Sequence, residues 1–150
     1  MDADSLIVGI LVTREVQLQR ETLFVELTSA FVRRDYACMT AVLREGAVLE
    51  FPGTSRLSGT FRGIDGIERY LLATSDVVRP SGKAIAFTHR DQEMVASHEV
   101  GVFGPTSVAE MTMHIGLTFD EREKVVAVSV KPGDIDLFDR TIGSATAPAG

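Results

Sequence analysis

Three residues of types that can move protons are the candidates for chemistry in this sequence. Glu99 lies within an alternating stretch from Met94 to Phe103, His89 begins the triplet His89–Asp91, and Tyr70 lies within a helical pattern. A carboxyl group buried among apolar residues favours its protonated form and can then act as an acid or a base near neutrality. An imidazole beside a guanidinium can hold a carbonyl or carboxylate, and a phenol can donate a hydrogen bond. These types predict acid–base chemistry on a small molecule.

Each of these candidate residues could instead have a purely structural role. A shift of one residue along its strand would turn Glu99 to solvent and His98 inward. The triplet His89–Asp91 could instead form a solvated turn with a local ion pair. Tyr70 could pack in the core with its hydroxyl in water. His114 is expected on the polar face of its strand, where a contact between subunits is favoured over catalysis.

No cofactor or metal is predicted. The histidines His89, His98 and His114 lie on three different expected strands, without the paired spacing or nearby cysteine that a metal site needs. The glycine-rich stretch Gly59–Gly63 lacks the lysine and hydroxyl residue that would hold phosphates. Cys38 is the single cysteine and has apolar neighbours, so we expect a buried, inert thiol in a protein of the reducing cytoplasm.

Composition limits the class of protein. A chain of 150 residues that is 45% hydrophobic suits one domain, which we assign to residues 1–142 with a flexible tail at 143–150. The net charge of −6 argues against a nucleic-acid partner, because no basic stripe is available for phosphates. The apolar run Leu6–Val12 is too short to cross a membrane. We interpret it as a buried strand, the start of a helix or a subunit contact.

Hydrophobic periodicity predicts the elements that hold these residues. Apolar residues at helical spacing predict a helix within Arg14–Arg34 with Arg20 on its solvent side, a second helix capped by Asp35 that ends at Gly46, and a third over Asp65–Leu72. A strand is predicted at Ala47–Phe51, followed by a loop at Thr54–Gly63.

The second half of the chain is a series of alternating segments. Residues 109–119 alternate most regularly, and the odd-numbered face of this segment is apolar throughout. Short polar or Gly-Pro breaks separate the segments, which predicts hairpins, an antiparallel sheet and an α+β domain. The predicted strands are Lys83–Arg90, Met94–Phe103, Ser107–Phe119 and Lys124–Lys131, and Asp134–Ile142 is expected to close the domain.

This order of elements resembles the nuclear-transport-factor-2-like superfamily, and within it the SnoaL-like polyketide cyclase and ketosteroid isomerase group. The segments that carry the resemblance are Phe31–Tyr36, Val48–Gly53, Leu57–Ile67 and Phe119–Val126. The resemblance implies a cone-shaped barrel, in which a strongly bent antiparallel (mixed) sheet wraps around three N-terminal helices and encloses an apolar pocket. It also implies a homodimer through the outer face of the sheet.

The catalytic residues of these relatives are largely replaced in this chain. The positions of the isomerase base, the oxyanion tyrosine and the protonated aspartate correspond to Phe51, Leu27 and Ile115, which are all apolar. The water-activating triad of the limonene-epoxide-hydrolase relatives corresponds to Glu99, Gly101 and Val130. The acid–base aspartate of the SnoaL cyclases corresponds to Lys131 or Asp134. The resemblance further implies that Ser97, Glu99, Gly101 and Phe103 face the pocket, which would direct the Glu99 carboxyl into it.

These expectations define a candidate function. We expect a cofactor-independent cyclase or isomerase that holds an apolar, polyketide-like molecule in a ring-closing conformation. Glu99, Tyr70 and His89 would assist the reaction. The alternatives are a non-catalytic binding or dimerisation module, and a hydrolase or dehydratase that uses Glu99 and His89. The expected substrate contacts are Leu27, Leu49, Phe51, Phe87, Gly101, Met111, Met113, Ile115, Val128 and Val130.

Overall fold

The computed structural model describes the backbone of residues 3–143 and the side chains of residues 14–143. The tail predicted at 143–150 lies outside the described residues, except for Gly143. The run Leu6–Val12 is helical, which confirms its interpretation as the start of a helix. The elements are α1 (Ala3–Val32), α2 (Tyr36–Thr40), β1 (Leu43–Phe51), β2 (Gly59–Arg62), α3 (Gly63–Thr74), β3 (Val78–Pro80), β4 (Ala86–Arg90), β5 (Glu93–Phe103), β6 (Val108–Phe119), β7 (Val125–Pro132) and α4 (Ile135–Ile142).

The corner between α1 and α2 follows from two adjacent residues. Arg34 adopts the left-handed conformation, with φ 59°, and the Asp35 amide donates to the Ala30 carbonyl over 2.8 Å, which ends α1. The Asp35 carboxylate then accepts from the Cys38 amide over 3.1 Å and caps α2, as predicted. The second helix nevertheless stops at Thr40 and not at Gly46, because the chain continues as β1 from Leu43.

The predicted burial of Cys38 is wrong. The thiol is exposed, because the five-residue α2 contains no buried residue. The apolar neighbours of Cys38 in the sequence therefore do not surround its side chain in the fold.

The sheet has seven strands in the order β2-β1-β7-β6-β5-β3, with β4 also paired to β5. The predicted hairpins are confirmed, because β4, β5, β6 and β7 pair antiparallel in succession. β1 lies parallel to β7, so the sheet is mixed. The sequence did not indicate β2, which forms part of a segment predicted as a loop, or the short β3.

The sheet is neither closed nor strongly curled, so the expected cone-shaped barrel is wrong in that respect. Within the described residues, β2 at one edge does not pair with β3 or β4 at the other. These edge strands have four, three and five residues, which is too short to carry the sheet around the helices. The result is an open mixed sheet in an α+β fold, with one long N-terminal helix and, in the described part of the chain, three shorter helices.

The inner face of β6 is the predicted odd-numbered face. Its residues are buried except Ile115, which is half-buried, and the even-numbered residues include the exposed Glu110 and the half-buried Thr112 and His114. Alternation in the sequence therefore identified the correct side of this strand. The inner-face residues are Ala109, Met111, Met113, Ile115, Leu117 and Phe119.

The C-terminal helix α4 closes one end of the sheet, as expected for Asp134–Ile142. Asp134 caps it by accepting from the Leu137 amide over 3.0 Å. The Asp139 carboxylate accepts from the amides of Thr54 and Ser55, each over 3.0 Å, and so holds the loop after β1. Helix α4 thus connects the end of the chain to the first strand.

Arg20 does not lie on the solvent side of α1, as predicted, but is buried with 7% exposure. Its guanidinium donates to both carboxylate oxygens of Glu123, over 2.7 and 2.8 Å, and to the Asp91 carbonyl over 2.7 Å. It also lies 4.5 Å from the centre of the Phe119 ring. One side chain of α1 thereby contacts the turns before β5 and before β7.

Candidate functional site

A cavity of about 140 Å³ lies between the inner face of the sheet and the helices. Within residues 14–143, four lining residues have polar side chains, Thr28, Tyr70, Thr74 and His98, and none of the lining residues in that range carries an ionised carboxylate, ammonium or guanidinium group. The apolar lining consists of Phe24, Leu27, Phe31, Met39, Val42, Leu43, Leu49, Ile67, Leu71, Val78, Pro80, Val100, Met113, Ile115, Leu117, Val125, Val128 and Val130.

The periodicities of strand and helix place this lining. Adjacent strands contribute residues that are paired in register, as His98 with Met113 and Leu49 with Val128. Helix α3 contributes Ile67, Tyr70, Leu71 and Thr74, a spacing that gives one helical face.

Two of the four polar side chains are already hydrogen-bonded within their helices. The Thr28 hydroxyl donates to the Phe24 carbonyl over 3.1 Å, and the Thr74 hydroxyl donates to the Tyr70 carbonyl over 2.9 Å. Such local bonds occupy the hydroxyl proton of each threonine. His98 and Tyr70 are the lining side chains with polar groups left for a ligand.

His98 is held in the cavity wall as a neutral imidazole. It is 8% exposed and meets the Phe24 ring edge-on at 5.6 Å between ring centres. Its Nε2 atom is buried and has no hydrogen-bond partner among the described residues. Burial lowers the pKa of His98, because a charged imidazolium is poorly stabilised away from water. The ring is therefore uncharged at pH 7.

Tyr70 contributes a protonated phenol. It is 7% exposed, and its ring packs against Phe51 and Phe61 at centre distances of 6.0 and 5.2 Å. Burial raises the pKa of the Tyr70 hydroxyl above its ordinary value, because the phenolate would be poorly solvated there. The hydroxyl therefore stays a hydrogen-bond donor throughout the neutral range.

The structure brings together part of the predicted site. Tyr70 and the expected contacts Leu27, Leu49, Met113, Ile115, Val128 and Val130 all line the cavity. The other expected substrate contacts do not line the cavity. Phe51, Phe87 and Met111 belong to the inner side of the sheet but pack within the core, and Gly101 lies on the outer face.

The expectation that Glu99 faces the pocket is wrong. On β5 the buried residues are Met94, Ala96, His98, Val100 and Val102, so the odd-numbered residues occupy the opposite face. The Glu99 carboxylate there accepts a hydrogen bond from the Thr112 hydroxyl over 2.9 Å. The alternative register, with His98 inward, is the one found.

His89 also lies away from the cavity lining. Its Nε2 atom is 2.6 Å from the Glu21 carboxylate of α1, and its side chain is 14% exposed. Arg90 and Asp91 are exposed at the following turn. The imidazole therefore links α1 to β4 in this arrangement, and a substrate contact at the pocket mouth is not observed.

The outer face of the sheet contains a second set of polar pairs. Ser97 and His114 are 2.7 Å apart through the hydroxyl and Nδ1. His114 is on the polar face of β6, as expected. The homodimer through this face stays a prediction.

The described residues contain neither a membrane-spanning helix nor a cluster of metal ligands. No helix there is long and apolar enough to cross a membrane. Nor do three histidine, cysteine, aspartate or glutamate side chains in that part of the chain lie close enough to hold a metal ion.

Burial of His98 predicts a pH dependence of stability. The unfolded chain binds the His98 proton near the ordinary pKa of 6.5, whereas the native pKa is lower. The stability associated with this group is therefore full above pH 6.5 and declines as pH falls from there through the native pKa. Urea unfolding at several pH values from 7.5 down to 5 is expected to show this decline in the wild type and a smaller one in His98→Leu. His114→Leu is the control. If stability fell with pH as steeply in His98→Leu as in wild type and His114→Leu, the assignment of the pH dependence to His98 would be contradicted.

Comparison with known proteins identifies the fold. No protein-family model matches the sequence, and no curated protein sequence matches it. Solved structures do match. An NTF2-like protein from Burkholderia xenovorans aligns with a TM-score of 0.70 at 19% identity, covering 81% of this chain and 94% of that one. A candidate polyketide cyclase from Xanthomonas campestris aligns with a TM-score of 0.64 at 16% identity, covering 82% and 96%.

A third structure is SalBIII, an epoxide hydrolase/cyclase-like enzyme with a role in pyran ring formation in the polyether salinomycin. It aligns with a TM-score of 0.63 at 11% identity and covers 78% of this chain and 92% of that one. The likeness extends over most of the chain and concerns architecture. The chain therefore has the NTF2-like fold, which it shares with cyclases, isomerases and proteins of unknown function.

Proposed function

We propose that this chain is a SnoaL-like, cofactor-independent cyclase or isomerase of an apolar, polyketide-like natural-product intermediate. One observation carries the proposal: an apolar cavity contains a neutral imidazole without a hydrogen-bond partner at Nε2, together with a protonated phenol. Cavities with an apolar wall and a few polar groups are typical sites for small organic molecules. The fold shared with cyclases and isomerases is consistent with this reaction class but does not identify the substrate.

The two polar groups suggest a division of roles. In the tautomer that leaves Nε2 unprotonated, His98 takes a proton from a carbon next to a substrate carbonyl. The Tyr70 hydroxyl donates a hydrogen bond to the enolate oxygen that forms. Return of the proton to another carbon gives an isomer. Attack of the enolate carbon on a second carbonyl of the same molecule gives a ring, and the proton then passes to the new alkoxide.

The apolar wall would contribute by fixing the substrate conformation. A flexible chain that is held with its reacting carbons in contact loses little further entropy on ring closure, which can lower the barrier by several kcal/mol. The lining from α1, α3 and the sheet would cover the bound molecule on two sides and reduce the contact of the enolate with water there.

The test is incubation with a panel of polyene and keto-ester compounds, followed by chromatography and mass spectrometry. We expect a product of unchanged mass and altered retention. His98→Gln is expected to slow its formation at least about 100-fold, because the general base is lost. Tyr70→Phe is expected to slow it about tenfold, because one hydrogen bond to the enolate is lost. His114→Gln, the matched control on the outer face, should keep the wild-type rate.

Two other outcomes distinguish the alternatives. Compounds that bind and are recovered unchanged after long incubation would support a non-catalytic binding module, which the largely apolar lining also suits. A product that has gained or lost water would contradict the cyclase and support a hydrolase or dehydratase. Glu99 and His89 are poorly placed for that chemistry, because neither lines the cavity.

A further inference from the structure

The cavity contains one polar atom whose hydrogen bond is missing. Nε2 of His98 is buried and unpaired among the described residues, and the residue is 8% exposed. Leaving a buried polar atom without a partner is unfavourable, and a native structure normally supplies one. The surrounding side chains are Phe24, which presents its ring, and the aliphatic lining of the neighbouring strands. The described residues do not supply this hydrogen bond, so it falls to a water molecule in the free protein or to a bound molecule that displaces the water.

The volume of the cavity shows how much of that molecule it can enclose. An apolar cavity of about 150 Å³ takes up benzene, and the cavity here measures about 140 Å³. One six-membered ring therefore fits inside, and a longer molecule would extend through the open side of the cavity.

The lining also selects against charge. Among the residues whose side chains the structure describes, those around the cavity include no lysine, arginine, aspartate or glutamate. An ionised ligand would lose its hydration without gaining a counter-charge, which is strongly unfavourable. His98 cannot supply that charge near neutrality, because its buried imidazole stays neutral.

We infer that the molecule bound here is neutral, places a part about the size of one six-membered ring in the cavity, and carries a hydroxyl group that hydrogen-bonds to Nε2 of His98. A hydroxyl can donate or accept, so it suits either tautomer of the imidazole. This inference rests on the proposed function in one respect only, namely that the cavity is a binding site. It specifies the class of ligand and the atom that recognises it, and it holds whether or not a reaction follows.

The test compares phenol with toluene, which differ in the polar group and little in size. Each is titrated into wild type, His98→Leu and His114→Leu, with binding followed by calorimetry. The preference for phenol, measured as the Kd of toluene divided by the Kd of phenol, is expected to fall at least about tenfold in His98→Leu. It should be unchanged in His114→Leu. An equal preference in wild type and His98→Leu would overturn the assignment of His98.

A further ligand tests charge. Benzoate is expected to bind wild type at least about tenfold more weakly than phenol, since its carboxylate would be desolvated without a partner. Binding of benzoate that equals or exceeds that of phenol would overturn the charge limit.

A measurement on wild type keeps the inference testable if His98→Leu fails to fold. The imidazole ¹⁵N resonance of His98 is expected to shift at saturation with phenol and not with toluene, and the His114 resonance should stay unchanged with both. Failure of this inference is distinguishable from failure of the proposed reaction. If phenol binds through His98 and no compound of the panel is converted, the reaction is wrong and the ligand class stands. If no neutral ring compound binds at all, both are wrong.

Discussion

Replacement of Phe138 by alanine is expected to lower the free energy of unfolding by about 4 kcal/mol, near the middle of the range for a fully buried phenylalanine. Phe138 has 0% exposure, and its ring lies 4.9 Å from that of Phe51 between centres. The truncation leaves a void between α4 and the sheet, because the backbone of α4 is fixed by the Asp134 cap and the Asp139 hydrogen bonds. Urea unfolding followed by circular dichroism measures the loss.

The matched control is Phe103→Ala. Phe103 is 37% exposed at the end of β5 and stacks with Arg79 at 5.1 Å. Its truncation removes the same atoms but creates no enclosed void, so the expected loss is below about 1.5 kcal/mol. Similar losses in both variants would contradict the placement of α4 over the sheet. The contact between Phe138 and Phe51 also matters for the candidate site, because the ring centre of Phe51 lies 6.0 Å from that of Tyr70.

The parts of the fold that were predicted correctly are those in which local periodicity and burial agree. The face of α1 with Leu23, Leu27 and Phe31 and the odd-numbered face of β6 both lie toward the core. Each of these elements buries one continuous face, so the pattern of its own residues shows which face is buried. The edge strands β2 and β3 could not be predicted in this way, because strands of four and three residues are too short to show an alternation of apolar and polar residues.

The error on β5 has a different origin. Its even-numbered face contains Met94, Ala96, Val100 and Val102 with a single polar residue, His98, so the composition of the strand indicates the face that is buried. The resemblance to known relatives indicated the opposite face. A polar residue within an otherwise apolar face was the signal for the site, and it was the histidine rather than the neighbouring glutamate.

The separation of cavity from core could not be predicted from the strands alone. Phe51 and Leu49 lie on the same face of β1, yet Leu49 lines the cavity and Phe51 is covered by Phe138 of α4. Phe87 is likewise covered by Phe24 of α1, at 6.0 Å between ring centres. Helices that are distant in the sequence decide which inner-face residues stay accessible from the cavity. The local sequence pattern of a strand does not predict how those helices pack.

Removal of Glu123 is expected to destabilise the protein more than removal of Arg20, although both changes break the same ion pair. The Arg20 side chain is 8% exposed and that of Glu123 is 38% exposed. Glu123→Ala leaves a buried guanidinium with only the Asp91 carbonyl and the Phe119 ring, and we expect a loss of about 3 kcal/mol. Arg20→Met leaves a carboxylate that can turn to water, so the expected loss is about 1–2 kcal/mol.

Two comparisons make this asymmetry decisive. Glu121→Ala removes an exposed carboxylate from the same turn and should change the free energy of unfolding by less than about 0.5 kcal/mol. The double variant Arg20→Met/Glu123→Ala should be more stable than Glu123→Ala alone, because the buried charge is removed together with its partner. Backbone strain at position 123, with φ 60°, is common to glutamate and alanine and does not contribute to the difference. A greater loss for Arg20→Met than for Glu123→Ala would show that packing of the arginine stem, and not its buried charge, fixes α1 to the turn before β7.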